Sequence, residues 1–247
     1  MIDKIKAKLI QLHLKACAAH LAEIIDAGAQ NNLSFLQCLE RLLDLELEAR
    51  DQIRVATRFK QSRLAEKPTI DQFDFHFHIS RKNQKTRILN LLTLEFIQHT
   101  KDIILIGNPG VAKSFLAKCV AYAATQAGIK TLFTTTMDMI NHLIAADADH
   151  SLLKKLHYYQ SPDLLVCDEI GYLPLGTQGS NLFFQVISQR HETRSSIITT
   201  NLPFADWGKI FDSTSVATAI ADRLVYNSQV LILEGSSYRK RDKNKAE

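Results

Sequence analysis

Residues 102–121 read DIILIGNPGVAKSFLAKCVA, which is an apolar run, a loop of mostly small residues and a helix-forming segment, in that order. The loop, Gly107 to Ser114, matches the phosphate-binding pattern G-x-x-x-x-G-K-[ST], except that Ala112 replaces the second fixed glycine. Small residues in such a loop let backbone N–H groups surround phosphates at the positive N-terminus of a helix. The stretch therefore predicts an α/β fold with a nucleotide site.

The side chains of this loop have separate predicted roles. Lys113 is expected to bridge the phosphates and Ser114 to reach Mg²⁺. A Cβ at Ala112 is expected to crowd the loop and to impair hydrolysis more than binding, because glycine alone tolerates positive φ and close approach without strain. A plain strand-to-helix turn with a solvated lysine is the competing interpretation. The predicted nucleotide-binding residues are Gly107, Asn108, Pro109, Gly110, Val111, Ala112, Lys113, Ser114 and Phe115.

Two later apolar runs also end in polar side chains. Residues 164–169 read LLVCDE, and this pattern resembles a Walker B segment. We expect Asp168 to organise Mg²⁺ through its water shell and Glu169 to polarise an attacking water. Residues 196–201 read SIITTN, and Asn201 is predicted to hold that water or the γ-phosphate. Taken alone, the acidic pair is compatible with a soluble strand end and the asparagine with the start of a turn.

Three arginines are candidates for a charge that one subunit supplies to the site of its neighbour. Arg190 and Arg194 follow the acidic strand, and Arg223 precedes the last predicted strand. An arginine presented in trans stabilises negative charge on a transferring phosphoryl group. Considered one by one, each is more typical of a surface ion pair.

The first part of the chain has the apolar periodicity of helices. Steps of three and four residues predict an amphipathic helix over residues 2–25, with Gly28 as its stop. A longer helix is predicted over residues 35–59, and Ser34 with Gln37 resembles a capping box at its start. These segments indicate a small all-helical N-terminal domain.

The rest of the chain alternates between strand and helix patterns. A helix is predicted over residues 86–99, and further helical stretches separate the strands, so we expect a five-stranded parallel sheet with helices on both faces. The domain boundary is placed at residue 67, which gives domains of residues 1–67 and 68–247. The predicted strands are Asp102–Ile106, Lys130–Thr134, Leu164–Cys167, Ser196–Thr200 and Val230–Leu233.

The composition excludes several classes of protein. The chain has 247 residues, 46% of them hydrophobic, but no apolar run near the ~20 residues of a membrane-spanning helix. With no signal-peptide core at its start, we expect a cytoplasmic protein without a membrane partner. Four scattered cysteines predict reduced thiols. The net charge is +4, and basic residues gather at 81–87 and 239–245, where they either attract polyanions or form a solvated surface.

Together the motifs resemble the IstB-like transposition helper ATPases, a AAA+ family close to the DnaC-type helicase loaders. The resemblance covers almost the whole chain. Its most specific parts are CDEIGYLP (167–174), LFFQVI (182–187), TNLPF (200–204) followed by Trp207, and DRL (222–224) followed by GSSYR (235–239). It implies a AAA+ P-loop ATPase domain over residues 68–247 that uses ATP and Mg²⁺, and an N-terminal domain over residues 1–67 for DNA or partner binding and oligomerisation.

The resemblance also implies a bacterial regulator of transposition, encoded by a mobile element, that forms a homo-oligomer on duplex DNA and presents this target to a partner transposase. Basic residues of the N-terminal helices and of residues 81–87 are expected to contact phosphates without reading bases. By the same resemblance Arg223 is the preferred arginine finger. The implied catalytic residues are Lys113, Asp168, Glu169, Asn201 and Arg223, and the implied metal-binding residues are Ser114 and Asp168.

Three other functions remain open at this stage. A replicative helicase loader has the same ATPase core but binds a hexameric helicase and single-stranded DNA. A nucleotide-gated DNA scaffold keeps ATP bound and hydrolyses little of it. A small-molecule kinase is disfavoured because no arginine-rich lid segment is evident in the sequence.

Overall fold

The computed structural model describes residues 1–238, which form two compact units divided between Thr57 and Arg58. The basic cluster at 239–245 lies outside the described residues. The helices are α1 (Ile2–Gln11), α2 (Lys15–Gln30), α3 (Phe35–Gln61), α4 (Ile79–Asn83), α5 (Lys85–Leu91), α6 (Glu95–Gln98), α7 (Lys113–Gln126), α8 (Thr136–Ala148), α9 (Leu152–Gln160), α10 (Gly176–Arg190) and α11 (Thr214–Tyr226). The strands are β1 (Asp102–Gly107), β2 (Thr131–Thr135), β3 (Leu164–Ile170), β4 (Ser195–Thr200) and β5 (Ser228–Leu233).

The first unit contains α1, α2 and most of α3. A single helix over residues 2–25 was the wrong prediction, because the chain turns at His13, where φ is 59°. The apolar periodicity continues across this turn. Side chains from both sides of it pack on one small core of Cys17, Leu21 and Leu42.

Gly28 is not the stop of α2, which was the second error in this region. The helix continues to Gln30, and a Cβ at Gly28 would lie 2.6 Å from the Sγ of Cys38 on α3. Glycine therefore allows the two helices to approach closely. The capping box is confirmed, since the Ser34 N–H donates to Gln37 Oε1 at 2.8 Å and the Gln37 N–H donates to Ser34 Oγ at 3.3 Å.

Glu46 on α3 fixes the start of α2, a role that the sequence did not indicate. Its Oε2 accepts the N–H groups of Ala16 at 2.8 Å and Cys17 at 3.3 Å, which are unpaired donors in the first turn of a helix. Arg50 donates to the other carboxylate oxygen at 2.9 Å, and this hydrogen bond lowers the pKa of Glu46.

The second unit is built on a five-stranded parallel sheet in the order β2-β3-β4-β1-β5, which confirms the predicted fold class. Alternate residues of the strands face two apolar layers. Ile103 and Leu105 pack with α7, whereas Ile104 packs with α8, α10 and α11. Because β1, β3 and β4 are neighbours and parallel, the phosphate loop, the acidic pair and Asn201 all leave the sheet at the same edge.

The predicted helix over residues 86–99 is two helices in the structure. Leu94 between α5 and α6 has φ of 61°, and the Leu94 side chain is buried in the core. Both halves contribute to the same apolar face, since Ile88 and Phe96 are buried in one cluster. Periodicity therefore located the buried residues but not the break in the backbone.

A buried carboxyl group links the starts of β1 and β4. Asp102 at the start of β1 accepts the Ser196 N–H of β4 at 2.6 Å, and its desolvation raises its pKa to about 7.

None of the four cysteines is in a disulfide. Across residues 1–238, no helix is both long and apolar enough to cross a membrane.

Candidate nucleotide-binding site

The phosphate loop between β1 and α7 needs glycine at two points. A Cβ at Gly107 would lie 2.1 Å from the backbone oxygen of Leu233 on β5. At Gly110, φ is +85° and a Cβ would lie 2.1 Å from Ser237 Oγ. The Tyr238 N–H donates to the Gly110 carbonyl at 2.9 Å. The segment that follows β5 is therefore packed directly against the loop, and only glycine leaves room for it.

Ala112 takes the conformation that the missing glycine would take. It is the N-cap of α7 with φ of 70° and ψ of 30°, the left-handed region, which costs a non-glycine residue on the order of 1 kcal/mol. Its methyl group packs against the apolar layer that contains α7, and the residue is also part of the pocket wall. The first turn of α7 starts at this residue, since the Leu116 N–H donates to the Ala112 carbonyl at 3.0 Å. An effect of this methyl on hydrolysis stays a prediction.

Lys113 is folded back on the loop. Its Nζ donates to the carbonyls of Gly107 at 2.6 Å and Asn108 at 3.0 Å, and the residue is only 9% exposed. These bonds hold the ammonium group within the loop, beside the space that phosphates would fill. Lys113 and Ser114 both line the pocket.

A β-bulge places the acidic pair at the end of β3. The pairs Cys167–Ile198 and Ile170–Thr200 are separated by one more residue on β3 than on β4. Glu169, within the bulge, has φ of 62° and lines the pocket. A bulge commonly re-aims a side chain next to an active site. Here it exposes one carboxylate while its neighbour stays buried.

Thr199, which was not among the residues predicted from the sequence, orients both members of this pair. Its Oγ1 donates to Asp168 Oδ1 and accepts the Glu169 N–H at 2.9 Å. Asp168 is 5% exposed, and its backbone oxygen accepts from Thr136 Oγ1 at 3.1 Å. The sequence did contain a signal for Thr199. It lies near the end of the apolar run before Asn201, and in a sheet of this kind that strand is expected beside the strand that ends in Asp168.

A cavity of about 350 Å³ lies at this edge of the sheet and has the size of a small-molecule site. The structure brings together at its wall the predicted residues Pro109, Gly110, Ala112, Lys113, Ser114, Phe115, Glu169 and Asn201. Of the other predicted site residues, Gly107, Asn108, Val111, Asp168 and Arg223 do not line the cavity. Asp168 instead lies behind Thr199, with which it is hydrogen-bonded.

One wall of the cavity was not predicted. It is formed by residues before β1 and after β5, namely Gln72, Phe73, Asp74, Arg81 and Tyr238, and Tyr172 adds a further side chain. Phe73 is 4% exposed and stacks on Phe115 of α7, with ring centroids 6.5 Å apart. This wall has the aromatic and polar mixture that is usual in ligand pockets.

Arg81 was expected to contact DNA phosphates, and the structure contradicts this. The residue is 2% exposed, and its guanidinium lies 4.6 Å from the ring centroid of Phe73, 5.0 Å from that of Phe77 and 5.3 Å from that of Tyr238. Its Nη2 donates to the carbonyl of Val111 in the phosphate loop at 3.0 Å. Burial lowers the pKa of Arg81. Arg81 therefore braces the loop instead of facing solvent.

The three candidate arginine fingers have different surroundings. Arg190 is 1% exposed and donates to the carbonyls of Pro162 at 2.7 Å and Gln160 at 3.0 Å, so it is a buried structural residue and the trans role is wrong for it. Arg194 forms an ion pair with Asp163. Arg223 lies in the last turn of α11, where its guanidinium is 4.7 Å from the ring centroid of Phe184.

The residues of the pocket fit ATP with Mg²⁺. Backbone N–H groups of a loop with two left-handed residues, followed by a helix N-terminus, form an anion-binding cradle. The Ser114 hydroxyl at the pocket wall is a hard oxygen donor, the class that Mg²⁺ prefers, and the Asp168 carboxylate behind Thr199 fits a contact to the metal's water shell. Lys113, already held within the loop, adds the positive charge that phosphates need.

The comparisons with known proteins agree with this pocket. The family model described as IstB-like ATP binding protein matches residues 7–246. This chain belongs to that family. Among curated IstB-like relatives, the Insertion sequence IS5376 putative ATP-binding protein of Geobacillus stearothermophilus is 37% identical over 98% of this chain and 96% of its own length. The Insertion sequence IS21 putative ATP-binding protein of Pseudomonas aeruginosa is 34% identical over 99% of this chain and 92% of its own length.

Solved structures support the fold of this IstB-like chain. The crystal structure of the DnaC helicase loader superposes with a TM-score of 0.59 at 22% identity, over 67% of this chain and 96% of the loader chain. AMPPCP-bound DnaA from Aquifex aeolicus gives a TM-score of 0.59 at 16% identity, over 74% of this chain and 56% of the DnaA chain. The predicted AAA+ P-loop fold is confirmed.

Proposed function

We propose that this IstB-like protein is an ATP-dependent DNA-binding regulator of transposition. It forms oligomers on duplex DNA and delivers that DNA to a partner transposase in the cytoplasm of a bacterium. The observation that carries the proposal is the meeting of Lys113, Glu169 and Asn201 at one cavity at the carboxyl edge of the sheet. The names of the relatives, which are insertion-sequence ATP-binding proteins, supply the biological context.

Each group at the cavity has one job in the proposed hydrolysis. Lys113 and the loop N–H groups bind the β- and γ-phosphates; Ser114 would hold Mg²⁺, and Asp168 would orient the metal's water shell from behind Thr199. When bound, the metal ion neutralises charge on the phosphates. Glu169, which the bulge directs at the cavity, accepts a proton from the attacking water, and Asn201 orients that water. Thr199 gives the two carboxylates different settings. Its hydroxyl donates to Asp168 Oδ1, whereas it contacts Glu169 only through the backbone N–H, which leaves the Glu169 carboxylate for the water.

Hydrolysis and assembly are coupled in this proposal by an arginine from the neighbouring subunit. Arg223 is the candidate, because it is half-buried on α11, outside the wall of its own cavity. A contribution in trans makes the site complete only between subunits. A second support for oligomers is an exposed apolar stripe on α3. It consists of Phe35, Leu36, Leu39, Leu43 and Leu47, at helical spacing.

DNA binding in this proposal uses charge and not base-edge contacts. The N-terminal helices carry exposed lysines, among them Lys4 and Lys8 of α1. Such contacts neutralise backbone phosphates, so affinity is expected to fall steeply with salt and to vary little with sequence.

A nucleotide-gated scaffold is the second candidate, and one observation favours it. Ala112 has the left-handed backbone that favours glycine, and as a residue with a Cβ it forms part of the pocket wall. A loop that binds ATP but crowds the reacting phosphate would leave the DNA assembly persistent.

The helicase-loader alternative is supported only by the similarity of the fold to that of DnaC. Capture of a transposase and not of a hexameric helicase by the immobilised protein would decide against it.

Two variants test the proposed chemistry. Lys113→Ala is expected to abolish ATP binding, measured by equilibrium titration with a fluorescent ATP analogue, because it removes the charge inside the loop. Glu169→Gln is expected to bind ATP normally and to lose turnover by about 100-fold, because it removes the general base. Lys209→Gln on the exposed surface is the control, with no change in either quantity. ATP binding by Lys113→Ala equal to that of the wild type would overturn the assignment.

A further inference from the structure

A groove in the second unit lies at the opposite end of the sheet from the nucleotide pocket. It has a volume of about 390 Å³ and is formed where the end of α3, the start of β2 and the end of α9 meet. Its walls include three cations, Lys60, Arg63 and Lys130, together with Tyr158 and Ser161. No carboxylate is among the residues that line it.

The backbone holds Arg63 at this groove in a conformation that costs energy. Arg63 has φ of 61°, which is rare for a residue with a side chain. The residues on both sides of it are fixed. The Ser62 carbonyl accepts the Phe133 N–H of the edge strand β2 at 2.8 Å, and Leu64 is buried in the core. Strain that persists because its surroundings fix it is typical of functional sites.

Contacts with neighbouring side chains hold the cations of the groove in place. Arg63 lies 5.3 Å from the ring centroid of Tyr158, and Lys155 lies 5.6 Å from the same centroid. Lys130 donates to Ser161 Oγ at 2.9 Å on the far side of the groove. The nearby Asp163 is paired with Arg194. The groove therefore presents concentrated positive charge, and Asp163, which follows the lining residue Pro162 in the chain, is already paired with Arg194.

We propose that this groove is a binding site for the backbone phosphates of duplex DNA. The proposal rests on the DNA binding put forward above and assigns a surface to it. The occupant is a duplex and not a single strand because Tyr158, the one aromatic side chain of the groove, already has two cations against its ring. Stacking on bases needs an open aromatic face, whereas phosphates need only the charges.

The test compares two double variants of the full-length protein that change net charge equally. Arg63→Gln with Lys130→Gln removes two groove cations, and Lys101→Gln with Lys209→Gln removes two exposed cations elsewhere. Binding to a fluorescent duplex of mixed sequence is measured with ATP over a series of salt concentrations. The groove variant is expected to bind about tenfold more weakly, and the slope of log affinity against log salt is expected to fall by about 1 to 2. The control variant keeps the wild-type slope.

Three outcomes would overturn the proposal. If the groove variant and the control bind alike, the groove is not the site, and the proposed DNA-binding function stands. If the wild-type protein shows no salt-dependent duplex binding, the proposed function fails and the groove with it. If a single-stranded competitor displaces the duplex at equal nucleotide concentration, the occupant is a single strand. Lys60→Gln, on the exposed end of α3, repeats the test without touching a buried contact, and an unchanged thermal midpoint for each variant excludes a folding effect.

Discussion

Ala112 is the residue at which this chain departs from the phosphate-loop pattern, and the structure gives the departure a specific form. The residue has the left-handed backbone that favours glycine, with φ of 70°, and it is part of the wall of the candidate nucleotide cavity. The loop therefore contains, at this position, a backbone conformation that is strained for alanine and would be unstrained for glycine.

We expect Ala112→Gly to raise ATP turnover severalfold while changing ATP affinity little, because the methyl group crowds the reacting phosphate more than it blocks the cradle. Steady-state phosphate release by wild type and variant measures this. Ala127→Gly at the exposed C-cap of the same helix is the matched control and should leave turnover unchanged. Equal rates for wild type and Ala112→Gly would show that the methyl group is not inhibitory.

Arg190 illustrates how far a residue's role depends on burial. In the sequence it was a candidate for the trans arginine, yet it donates hydrogen bonds to backbone carbonyls around the start of β3 and β4. Burial lowers its pKa to about 10. Its burial at 1% exposure is visible only in the three-dimensional structure, because helical periodicity does not show which backbone carbonyls surround the end of α10.

Arg190→Ala is expected to lower the free energy of unfolding by about 3 kcal/mol, because several buried carbonyls lose their donor. Urea denaturation of each variant measures this. Arg194→Ala, which removes an ion pair with both side chains partly exposed, is expected to cost less than about 1 kcal/mol. Similar losses for the two variants would contradict the structural role of Arg190.

At the scale of elements, the side-by-side pairing of β1 and β4 involves a buried carboxyl group at the start of the two strands. Asp102 accepts the Ser196 N–H, and desolvation raises its pKa from 3.8 to about 7, with the positive charge of Arg190 offsetting only part of that effect. The folded protein therefore holds a proton that the unfolded chain loses at lower pH.

The wild-type free energy of unfolding should consequently fall as pH rises from about 4 to about 7 and then level off, relative to Asp102→Asn, which cannot ionise. The decrease in this difference should be on the order of 3 kcal/mol. Urea denaturation of both proteins at about pH 5 and about pH 8 measures it. A difference that is constant, or that grows with pH, would show that Asp102 is ionised in the folded protein throughout this range.

The elements of the sheet and the loop were predictable from the sequence because each strand is a short apolar run between turn residues, and the phosphate pattern fixes what lies on either side of it. Helix breaks were not, because His13 and Leu94 have left-handed backbones that no residue type announces. The bulge at Glu169 and the bond from Thr199 depend on the register of β3 against β4, which a single sequence does not contain. The arginine brace at Arg81 was hidden within a basic cluster that pattern alone assigns to the surface.

At the scale of the whole molecule, the proposal joins three features of the chain. These are the nucleotide cavity at the carboxyl edge of the sheet, the basic groove at its opposite edge, and the apolar stripe of α3. In this proposal the nucleotide cavity supplies the ATP-dependent switch, the basic groove supplies a surface for DNA, and the apolar stripe supplies a surface for a second copy of the chain. None of the three is sufficient alone for an ATP-controlled assembly on DNA.

The central claim is that ATP controls assembly of this protein on duplex DNA. Sedimentation velocity of the full-length protein with a duplex of mixed sequence, with ATP, with ADP and without nucleotide, tests it most directly. We expect complexes of several subunits per duplex with ATP and monomers or small species in the other two conditions, and Lys113→Ala should stay in the small species throughout. Monomers in every condition, or assemblies of the same size with and without ATP, would contradict the claim.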